Sequence, residues 1–318
     1  MRPLVSVIVP AYNAAVFIGA TLESVRAQTY DNIEVIVVDD GSTDDTTRIV
    51  EAHAAADPRV RLLRQANQGV ATARNVAAAS ATGVYLAPID ADDVWLPTKI
   101  ERQVASMERE GPAVGMCYTW WLGIDGDGVT QMQSHPWRVA GAIADAHVAM
   151  NFVGNASAPM FRREVFDRVG GYGDAFWMAR AQGCEDWDLS LRIAECSRVS
   201  VVEEYLTGYR RIAGTMSGSL DTMARSHLLM LERLKARRPD VPPELLRWSV
   251  GQLDLYLADV AARSGAPLTA LFWIMKGALQ RDASLLSPWI AEVILRKLPR
   301  ALADACTPAL RRAEARWH

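Results

Sequence analysis

Residues 83–93 read GVYLAPIDADD, a short apolar run that passes directly into a cluster of aspartates. Earlier apolar runs lie at 5–9, 33–38 and 60–63, and the stretch 18–25 carries apolar residues at helical spacing. The runs have the length of strands, and the stretches between them suit helices packed on a sheet. This alternation predicts an α/β fold with a mostly parallel, Rossmann-like sheet covered by helices on both faces.

Aspartates follow two of these predicted strands, Asp40 after the second and Asp90 and Asp92 after the fourth. Ligands of such folds bind at the carboxyl ends of the strands, so we expect these acids to line one crevice. Asp90 and Asp92, one residue apart in extended chain, point to the same side and offer the oxygen ligands that Mg²⁺ and Mn²⁺ prefer. The alternative is that strand-end aspartates cap the next helix, and we favour it for Asp44 and Asp45.

The composition excludes several classes of protein. The 318 residues carry a net charge of -3 and are 50% hydrophobic, as in soluble globular proteins. A charge this close to neutral argues against a nucleic-acid partner. The charge is unevenly divided, because residues 1–220 hold 19 basic and 27 acidic side chains whereas residues 221–318 hold 15 and 10. The two segments are therefore expected to differ in role.

The sequence also bears on location. The four cysteines have no metal-ligand spacing, which suggests free thiols in a reducing cytosol. No apolar run approaches the ~18 residues that a membrane-spanning helix needs, and the first residues lack the pattern of a signal peptide. The expected location is cytoplasmic.

Five short motifs occur in order: PAYN at 10–13, VDDGSTD at 38–44, NQG at 67–69, ARN at 73–75 and IDADD at 89–93. Together they resemble the family-2 glycosyltransferases, over about residues 3–215. The resemblance implies the GT-A fold and an inverting, metal-dependent transfer of a sugar to an acceptor hydroxyl. It implies a nucleotide diphosphate donor, with a UDP-sugar as the first expectation.

The resemblance also implies roles for single residues. Tyr12 would stack on the base, Asp40 would accept a hydrogen bond from it, and Arg74 would contact the nucleotide or its diphosphate. Asp92 would bind Mn²⁺ or Mg²⁺ directly, and Asp90 would lie near the ribose or the metal. The nucleotide-sugar-binding residues implied in this way are Pro10, Tyr12, Asn13, Asp40, Arg74, Asp90 and Asp92.

A second acidic motif, GCEDWD at 183–188, precedes a helix-like stretch. By resemblance, Asp186 is the catalytic base that takes the proton of the acceptor hydroxyl, and such a base contributes about 10²–10⁴-fold. The alternative is a helix N-terminus whose acids complement the helix dipole. Glu185 and Trp187 are expected on the acceptor side.

The chain departs from the family pattern at residues 209–212, which read YRRI where relatives commonly show Tyr-Arg-x-His. Ile212 occupies the histidine position and can neither coordinate a metal nor donate a hydrogen bond. Either Arg210 or Arg211 neutralises charge in its place, or metal dependence and turnover are weakened. Both arginines are also candidates for the acceptor side.

We expect a catalytic domain over 1–219, with a nucleotide-binding half at 1–110 and an acceptor-binding half at 111–219. A helical C-terminal extension follows at 220–318. Residues 285–316 are apolar and basic, and could lie on the inner face of an anionic membrane. A helical cap on the catalytic domain or a homodimer contact is the alternative, and we favour the cap.

The predicted function is therefore a glycosyltransferase of polysaccharide or cell-envelope biosynthesis, acting on a sugar, lipid-linked or small-molecule acceptor. The absence of a membrane-spanning bundle in the sequence argues against a processive polymer synthase. A degenerate, non-catalytic partner protein that binds sugar nucleotides is the first alternative, motivated by Ile212. A nucleotidyltransferase is the second, although PAYN at 10–13 is not the glycine-rich loop that such enzymes show.

Overall fold

A computed structural model describes residues 2–212 and 219–280. The chain divides into two compact units, whose described parts are 2–147 with 151–212, and 148–150 with 219–280. The first unit contains the sheet and every residue with a predicted catalytic or nucleotide-binding role. The second unit is helical.

The first unit begins with four parallel strands joined by helices. The order β3-β2-β1-β4 places the first strand in the interior of the sheet, with Val9 opposite Val37 and Ala11 opposite Asp39. The elements are β1 (Val5–Ala11), α1 (Ile18–Arg26), β2 (Ile33–Asp39), α2 (Thr46–Ala56), β3 (Val60–Arg64), α3 (Val70–Ser80) and β4 (Tyr85–Pro88).

The sheet continues as a mixed one, in the order β4-β8-β6-β9-β5, with β7 paired to β6. Only β6 and β9 run parallel in this part. The α/β fold is thus confirmed, and the sheet is parallel over its first four strands and mixed beyond them. The elements are β5 (Val94–Trp95), α4 (Lys99–Glu110), β6 (Val114–Ile124), β7 (Thr130–Gln133), α5 (Ala144–Ala149), β8 (Met160–Arg162), α6 (Arg163–Arg168), α7 (Ala175–Met178), α8 (Glu185–Cys196) and β9 (Arg198–Arg210).

Two apolar clusters account for the continuous hydrophobic runs of the first strands. Val7 and Val9 pack with Leu22 of α1 on one face of the sheet, whereas Ile8 packs with Ala77 of α3 on the other. Because successive side chains of a strand point to opposite faces, a strand covered on both sides needs apolar residues at every position. This burial fixes the strand ends, and with them the loops that follow.

Helix α2 begins at Thr46, and Asp45 stands at its N-cap position. The hydrogen bonds at this end come from Asp44, whose carboxylate accepts from the Thr46 amide at 3.0 Å and from the Ala15 amide at 3.1 Å. Asp45 makes no side-chain capping hydrogen bond and pairs with Arg48 on the surface. The two aspartates therefore lie at the helix start as predicted, but only Asp44 binds a helix amide through its side chain.

The second unit confirms the prediction of helices beyond residue 219 as far as the structure describes it. Its helices are α9 (Leu220–Arg237), α10 (Pro243–Arg263) and α11 (Pro267–Gln280). Within 2–212 and 219–280, no helix has both the length and the hydropathy needed to cross a bilayer. The segment 285–316, to which we assign membrane or cap contacts, lies outside the described residues.

Candidate active site

The loops after β1 and β2 are held together by Asn13. The Asn13 side-chain oxygen accepts a hydrogen bond from the Thr43 backbone amide at 2.8 Å, and the Asn13 backbone amide donates to the Ser42 hydroxyl at 3.0 Å. Asn13 adopts a positive φ of 48°, a conformation that asparagine tolerates better than most residues. Beside it, Tyr12 is 51% exposed, so its ring is free to stack on a planar ligand.

Asp40 is buried and anchors the loop that leads into α3. Its carboxylate accepts three hydrogen bonds, from the Gln65 side chain at 2.7 Å and from the amides of Gln68 and Gly69, each at 2.9 Å. Gly69 has a φ of +85°, and a Cβ there would lie 2.4 Å from the ring of Trp177. Asp40 therefore shapes the predicted nucleotide loop, and one lone-pair direction is left for a ligand.

Asp39, next to it, is a structural residue. It accepts hydrogen bonds from the Ser42 amide at 2.9 Å and from the Thr47 hydroxyl. Burial raises the pKa of the Asp39 carboxyl, but these hydrogen bonds outweigh it and the pKa lies below its ordinary value.

Arg74 connects α3 with the acids at the end of β4 and the start of α8. It is 3% exposed, donates to Asp90 at 2.5 Å and lies 3.7 Å from the Glu185 carboxylate. Burial lowers the pKa of the Arg74 guanidinium, but the Asp90 charge and its other neighbours raise it above the ordinary value. The Nε and Nη1 groups have no hydrogen-bond partner. A buried guanidinium with free donors at an acidic crevice suits a phosphate or ribose oxygen.

The aspartates at 90–93 separate into two kinds. Asp93 is fully buried, accepting hydrogen bonds from the Arg210 amide at 2.8 Å and the Ser157 hydroxyl at 2.5 Å. Asp90 and Asp92 are partly exposed. Burial, followed by the negative charge of Asp90, raises the pKa of Asp92 to about 6. Asp90 and Asp92 therefore remain the candidates for ligand binding, as the sequence predicts.

The carboxylates of Asp90 and Asp92 fit a divalent cation in their chemistry. Within the described ranges, no group of three or more His, Cys, Asp or Glu side chains is placed to hold a metal ion. Mg²⁺ is commonly bound through one or two carboxylates with substrate phosphates as further ligands. Burial, and after it the charge of Asp90, raises the pKa of Asp92, and a bound cation would offset both effects.

Asp186 lies in the first turn of α8 and is half-buried. Its carboxylate accepts a hydrogen bond from the Trp187 amide at 2.7 Å. Burial and the charge of Glu185 raise the pKa of Asp186 to about 7, against the opposing charge of Arg74. Such a carboxyl can exchange a proton near neutral pH, as a general base must.

The neighbours of Asp186 have structural contacts that the sequence did not predict. Glu185 is 4% exposed and accepts a hydrogen bond from the Gly183 amide at 2.6 Å, so it holds the loop that leads into α8. The Trp187 indole is buried and donates to the His147 carbonyl at 2.9 Å. The acceptor-side roles of Glu185 and Trp187 stay predictions.

Arg210 ties three parts of the first unit together. Its guanidinium donates to the carbonyls of Asp92 at 2.6 Å, Asp125 at 2.5 Å and Gly126 at 2.7 Å, and it lies 4.6 Å from the centre of the Phe17 ring. A guanidinium held by backbone carbonyls positions the loop that carries Asp92. Its spacing in the sequence gives no sign of these distant partners.

Arg211 and Ile212 follow Arg210 at the end of β9. The Arg211 guanidinium contacts the sulfur of Met132, and the side chain is half-buried, as is that of Ile212. Charge neutralisation by Arg211 stays a prediction.

Comparison with known sequences identifies a family, and relatives that match over different lengths. Residues 6–170, just over half of the chain, match the family described as glycosyl transferase family 2. A chondroitin synthase of Escherichia coli is 28% identical over 240 residues, covering 74% of this chain and 33% of the relative. An uncharacterised glycosyltransferase of Nostoc, alr2836, is 32% identical over 213 residues, covering 65% of this chain and 64% of the relative.

A third relative has a more specific name. The UDP-Glc:alpha-D-GlcNAc-diphosphoundecaprenol beta-1,3-glucosyltransferase WfaP of Escherichia coli is 46% identical over 108 residues, covering 34% of this chain and 42% of that protein. The chain thus spans less than two thirds of the length of each of these curated relatives.

Two solved structures share the fold. Residues 1–349 of Staphylococcus aureus TarS, in complex with UDP-GlcNAc, have a TM-score of 0.57 at 18% identity, covering 86% of this chain and 89% of that one. A mannosyltransferase of Pyrobaculum calidifontis, in complex with GDP-Man and Mn²⁺, has a TM-score of 0.59 at 22% identity, covering 97% and 88%. At this level of identity the similarity establishes the GT-A fold alone.

Proposed function

The chain belongs to glycosyltransferase family 2, and on that basis we propose that it transfers a sugar from a nucleotide diphosphate donor to an acceptor hydroxyl, with inversion. The resemblance noted in the sequence is confirmed by the match over residues 6–170. The observation that carries the proposal is the half-buried Asp186 carboxyl, whose pKa burial and the charge of Glu185 raise to about 7.

In the proposed reaction Asp186 accepts the proton of the attacking hydroxyl. The acceptor oxygen forms a bond to the anomeric carbon as the bond from that carbon to the diphosphate oxygen breaks, and its electron pair leaves with the nucleoside diphosphate. Attack opposite the leaving group inverts the configuration. The cost of ionising Asp186 among other acids keeps its carboxylate basic enough for this step.

The donor would be bound by the loops after β1, β2 and β3. The exposed Tyr12 ring offers a stacking surface next to Pro10, and Asp40 presents the loop 65–69 and one lone-pair direction to the base. The Nε group of Arg74, which has no hydrogen-bond partner, would donate to a ribose or diphosphate oxygen. Asn13 supports this site by joining two of its loops.

A divalent cation, Mn²⁺ or Mg²⁺, would be held by Asp92 with Asp90 beside it. When bound, such a cation supplies Lewis-acid stabilisation of the charge on the departing diphosphate. Arg210 positions Asp92 by holding its carbonyl. Ile212 in place of the family's histidine leaves this cation one protein neighbour fewer, so we expect weak metal affinity in the absence of nucleotide.

The acceptor is proposed to be a sugar or lipid-linked saccharide, reached at the cytoplasmic side of a membrane. Relatives named as a chondroitin synthase and as a glucosyltransferase acting on a diphosphoundecaprenol-linked sugar support polysaccharide or cell-envelope biosynthesis. A UDP-sugar is the donor we propose to test first. Peripheral membrane contact and homodimer formation remain part of the proposal.

Thermal unfolding with UDP, GDP, dTDP and CDP, each with and without Mn²⁺, tests the donor site. A ligand at 100 times its dissociation constant adds about 2.7 kcal/mol of stability, which raises the melting temperature by several degrees. We expect one nucleotide to stabilise the chain, and to do so more strongly with Mn²⁺. Stabilisation by none of the four would contradict the proposal.

The alternative function is that of a non-catalytic sugar-nucleotide-binding protein, which Ile212 favours. It requires that the chain bind a nucleotide without releasing one from any sugar nucleotide. The raised pKa of Asp186 speaks against it, because a structural acid at a helix N-terminus normally has a lowered pKa. Nucleoside diphosphate release from a sugar nucleotide separates the two functions.

A further inference from the structure

A small cavity lies against Asp186 in the first unit. Its interior offers about 10 Å³ for the centre of a water-sized group, and its walls include Asn155, Phe161, Tyr172 and Trp187. On this measure about 10–15 Å³ is enough to hold a single water molecule. This cavity therefore suits one hydroxyl-sized group of a substrate, and the group would lie beside the proposed base.

Tyr172 brings a hydroxyl without a partner to this cavity. The residue is 3% exposed, and its hydroxyl has no hydrogen-bond partner. Its position is fixed, because the Asn75 side chain donates to the Tyr172 carbonyl at 2.8 Å and accepts from its amide at 2.9 Å. The Arg74 guanidinium lies 5.1 Å from the ring centre. The unpaired hydroxyl is thus held in place by contacts that do not involve it.

Asn155 brings a second unpaired donor. The residue is 4% exposed, and its side-chain oxygen accepts a hydrogen bond from the Ser157 amide at 3.0 Å. That bond fixes the amide orientation and leaves the Nδ2 group without a partner. Buried polar groups are nearly always hydrogen-bonded in native proteins, so two free donors at one cavity indicate a bound group.

The charges around the cavity select the chemistry of that group. Asp186 is the charged side chain in the cavity wall, and the space is too small for a phosphate. A neutral hydroxyl can accept from the free donors and donate to the carboxylate. The remaining walls include the buried rings of Phe161 and Trp187, which exclude bulk water from this group. A sugar hydroxyl meets all these conditions.

We propose that this cavity is the subsite for the attacking hydroxyl, which Tyr172 Oη and Asn155 Nδ2 hold against the Asp186 carboxylate. The inference rests on the proposed function and adds two residues to it. When no sugar acceptor is present, a water molecule takes the same place and becomes the acceptor, so that the donor is hydrolysed. The proton of the attacking hydroxyl or water passes to Asp186. The oxygen of that hydroxyl or water bonds to the anomeric carbon as the bond from this carbon to the diphosphate breaks, and the electron pair leaves with the nucleoside diphosphate.

Hydrolysis of a sugar nucleotide tests the subsite without knowledge of the natural acceptor. The full chain is incubated with UDP-glucose, UDP-GlcNAc or GDP-mannose and Mn²⁺, and release of the nucleoside diphosphate is followed. We expect Tyr172→Phe to lower kcat for hydrolysis about tenfold, the effect of one lost hydrogen bond to the reacting oxygen. The KM for the donor and the Kd for UDP should stay unchanged.

Tyr205→Phe is the matched control, because its hydroxyl donates to the Ser134 carbonyl at 2.9 Å and does not line the cavity. It should hydrolyse the donor at the wild-type rate. The melting temperature of Tyr172→Phe should equal or exceed that of the wild type, since the change removes a hydroxyl that has no partner in the free protein.

Three results would overturn the subsite. An unchanged kcat in Tyr172→Phe shows that the hydroxyl does not contact the acceptor. A fall in kcat that accompanies a clear loss of thermal stability assigns Tyr172 a structural role. A raised KM for the donor at unchanged kcat places a hydroxyl of the donor sugar in the cavity instead.

A wild-type chain that binds UDP but releases it from no donor contradicts the proposed function itself.

Discussion

Two sets of aspartates stand at strand or helix ends of the same unit, and their surroundings are opposite. Asp39 and Asp40 accept hydrogen bonds from donors of the protein, and the pKa of Asp39 is lowered. Asp92 and Asp186 have fewer donors, and burial among other acids raises their pKa values to about 6 and about 7. A carboxylate satisfied by its own chain maintains a loop, whereas one left in excess negative charge is suited to a cation, a proton or a substrate.

The largest effect on this comparison should come from Arg74. Arg74→Met removes the buried cation that pairs with Asp90, and we expect it to cost about 3 kcal/mol of unfolding free energy and to weaken UDP binding at least tenfold. Urea unfolding and calorimetric titration with UDP measure the two effects. Adding Asp90→Asn should restore part of the lost stability, because the unpaired charge is then gone. A double variant no more stable than Arg74→Met would contradict the pairing.

Asp40→Ala tests the other set. It leaves two backbone amides and one side-chain amide without their acceptor, so we expect a loss of about 2–3 kcal/mol in urea unfolding. Asp92→Asn serves as the comparison, since it removes a repelled charge and should leave stability equal or higher. Equal losses in the two variants would remove the distinction between structural and ligand-binding aspartates.

The two sets of aspartates should change the stability of the chain in opposite directions as the pH rises. The pKa values of Asp92 and Asp186 are raised in the folded chain, so the stability they contribute is full below about pH 4 and is lost as the pH rises to about 7. Asp39, with its lowered pKa, contributes stability above its unfolded pKa and loses it on acidification.

Burial also raises the pKa of Asp93 and lowers the pKa of His227 to about 3, so Asp92 is measured by the difference in melting temperature between the wild type and Asp92→Asn from pH 5 to pH 8. We expect the fall over this range to be smaller in the Asp92→Asn variant and to be reduced in the wild type by Mn²⁺ with UDP. Identical pH profiles for the wild type and Asp92→Asn would contradict the raised pKa.

The smallest expected effect concerns the two acids before α2. Asp44→Ala should cost about 1 kcal/mol, because Asp44 caps the helix through the Thr46 amide. Asp45→Ala should produce no measurable change, since its partner Arg48 is also on the surface. Thermal unfolding of the two variants side by side would refute the assignment if Asp45→Ala were the more damaging.

The sequence predicts the fold best where burial on both faces of a strand requires a continuous run of apolar residues. The first four strands lie between two helix layers, so each is a continuous apolar run followed by a polar loop, and each was found at its predicted place. Strand β8 (Met160–Arg162) has only three residues and lies between β4 and β6. Its place depends on pairing between distant segments, which no local periodicity records.

The same limit applies to the candidate site. The motifs indicate Asp90, Asp92 and Asp186, but they do not show that Asp93 is tied to Ser157 or that Arg210 holds three carbonyls. These bonds join residues dozens of positions apart in the chain, and they depend on the packed sheet. The unpaired donors of Asn155 and Tyr172 are invisible for the same reason, because a missing partner is a property of the fold.

The central claim is that Asp186 is the base of a sugar transfer, and nucleoside diphosphate release tests it most directly. UDP-glucose, UDP-GlcNAc and GDP-mannose would be supplied with Mn²⁺ to the wild type and to Asp186→Asn at pH 8, with UDP and GDP affinity measured for both. The account predicts release by the wild type, a loss of about 10²–10⁴-fold in Asp186→Asn, and similar nucleotide affinity. Equal release by the two proteins would contradict the role of Asp186, and no release by a wild type that binds the nucleotide would favour the non-catalytic alternative.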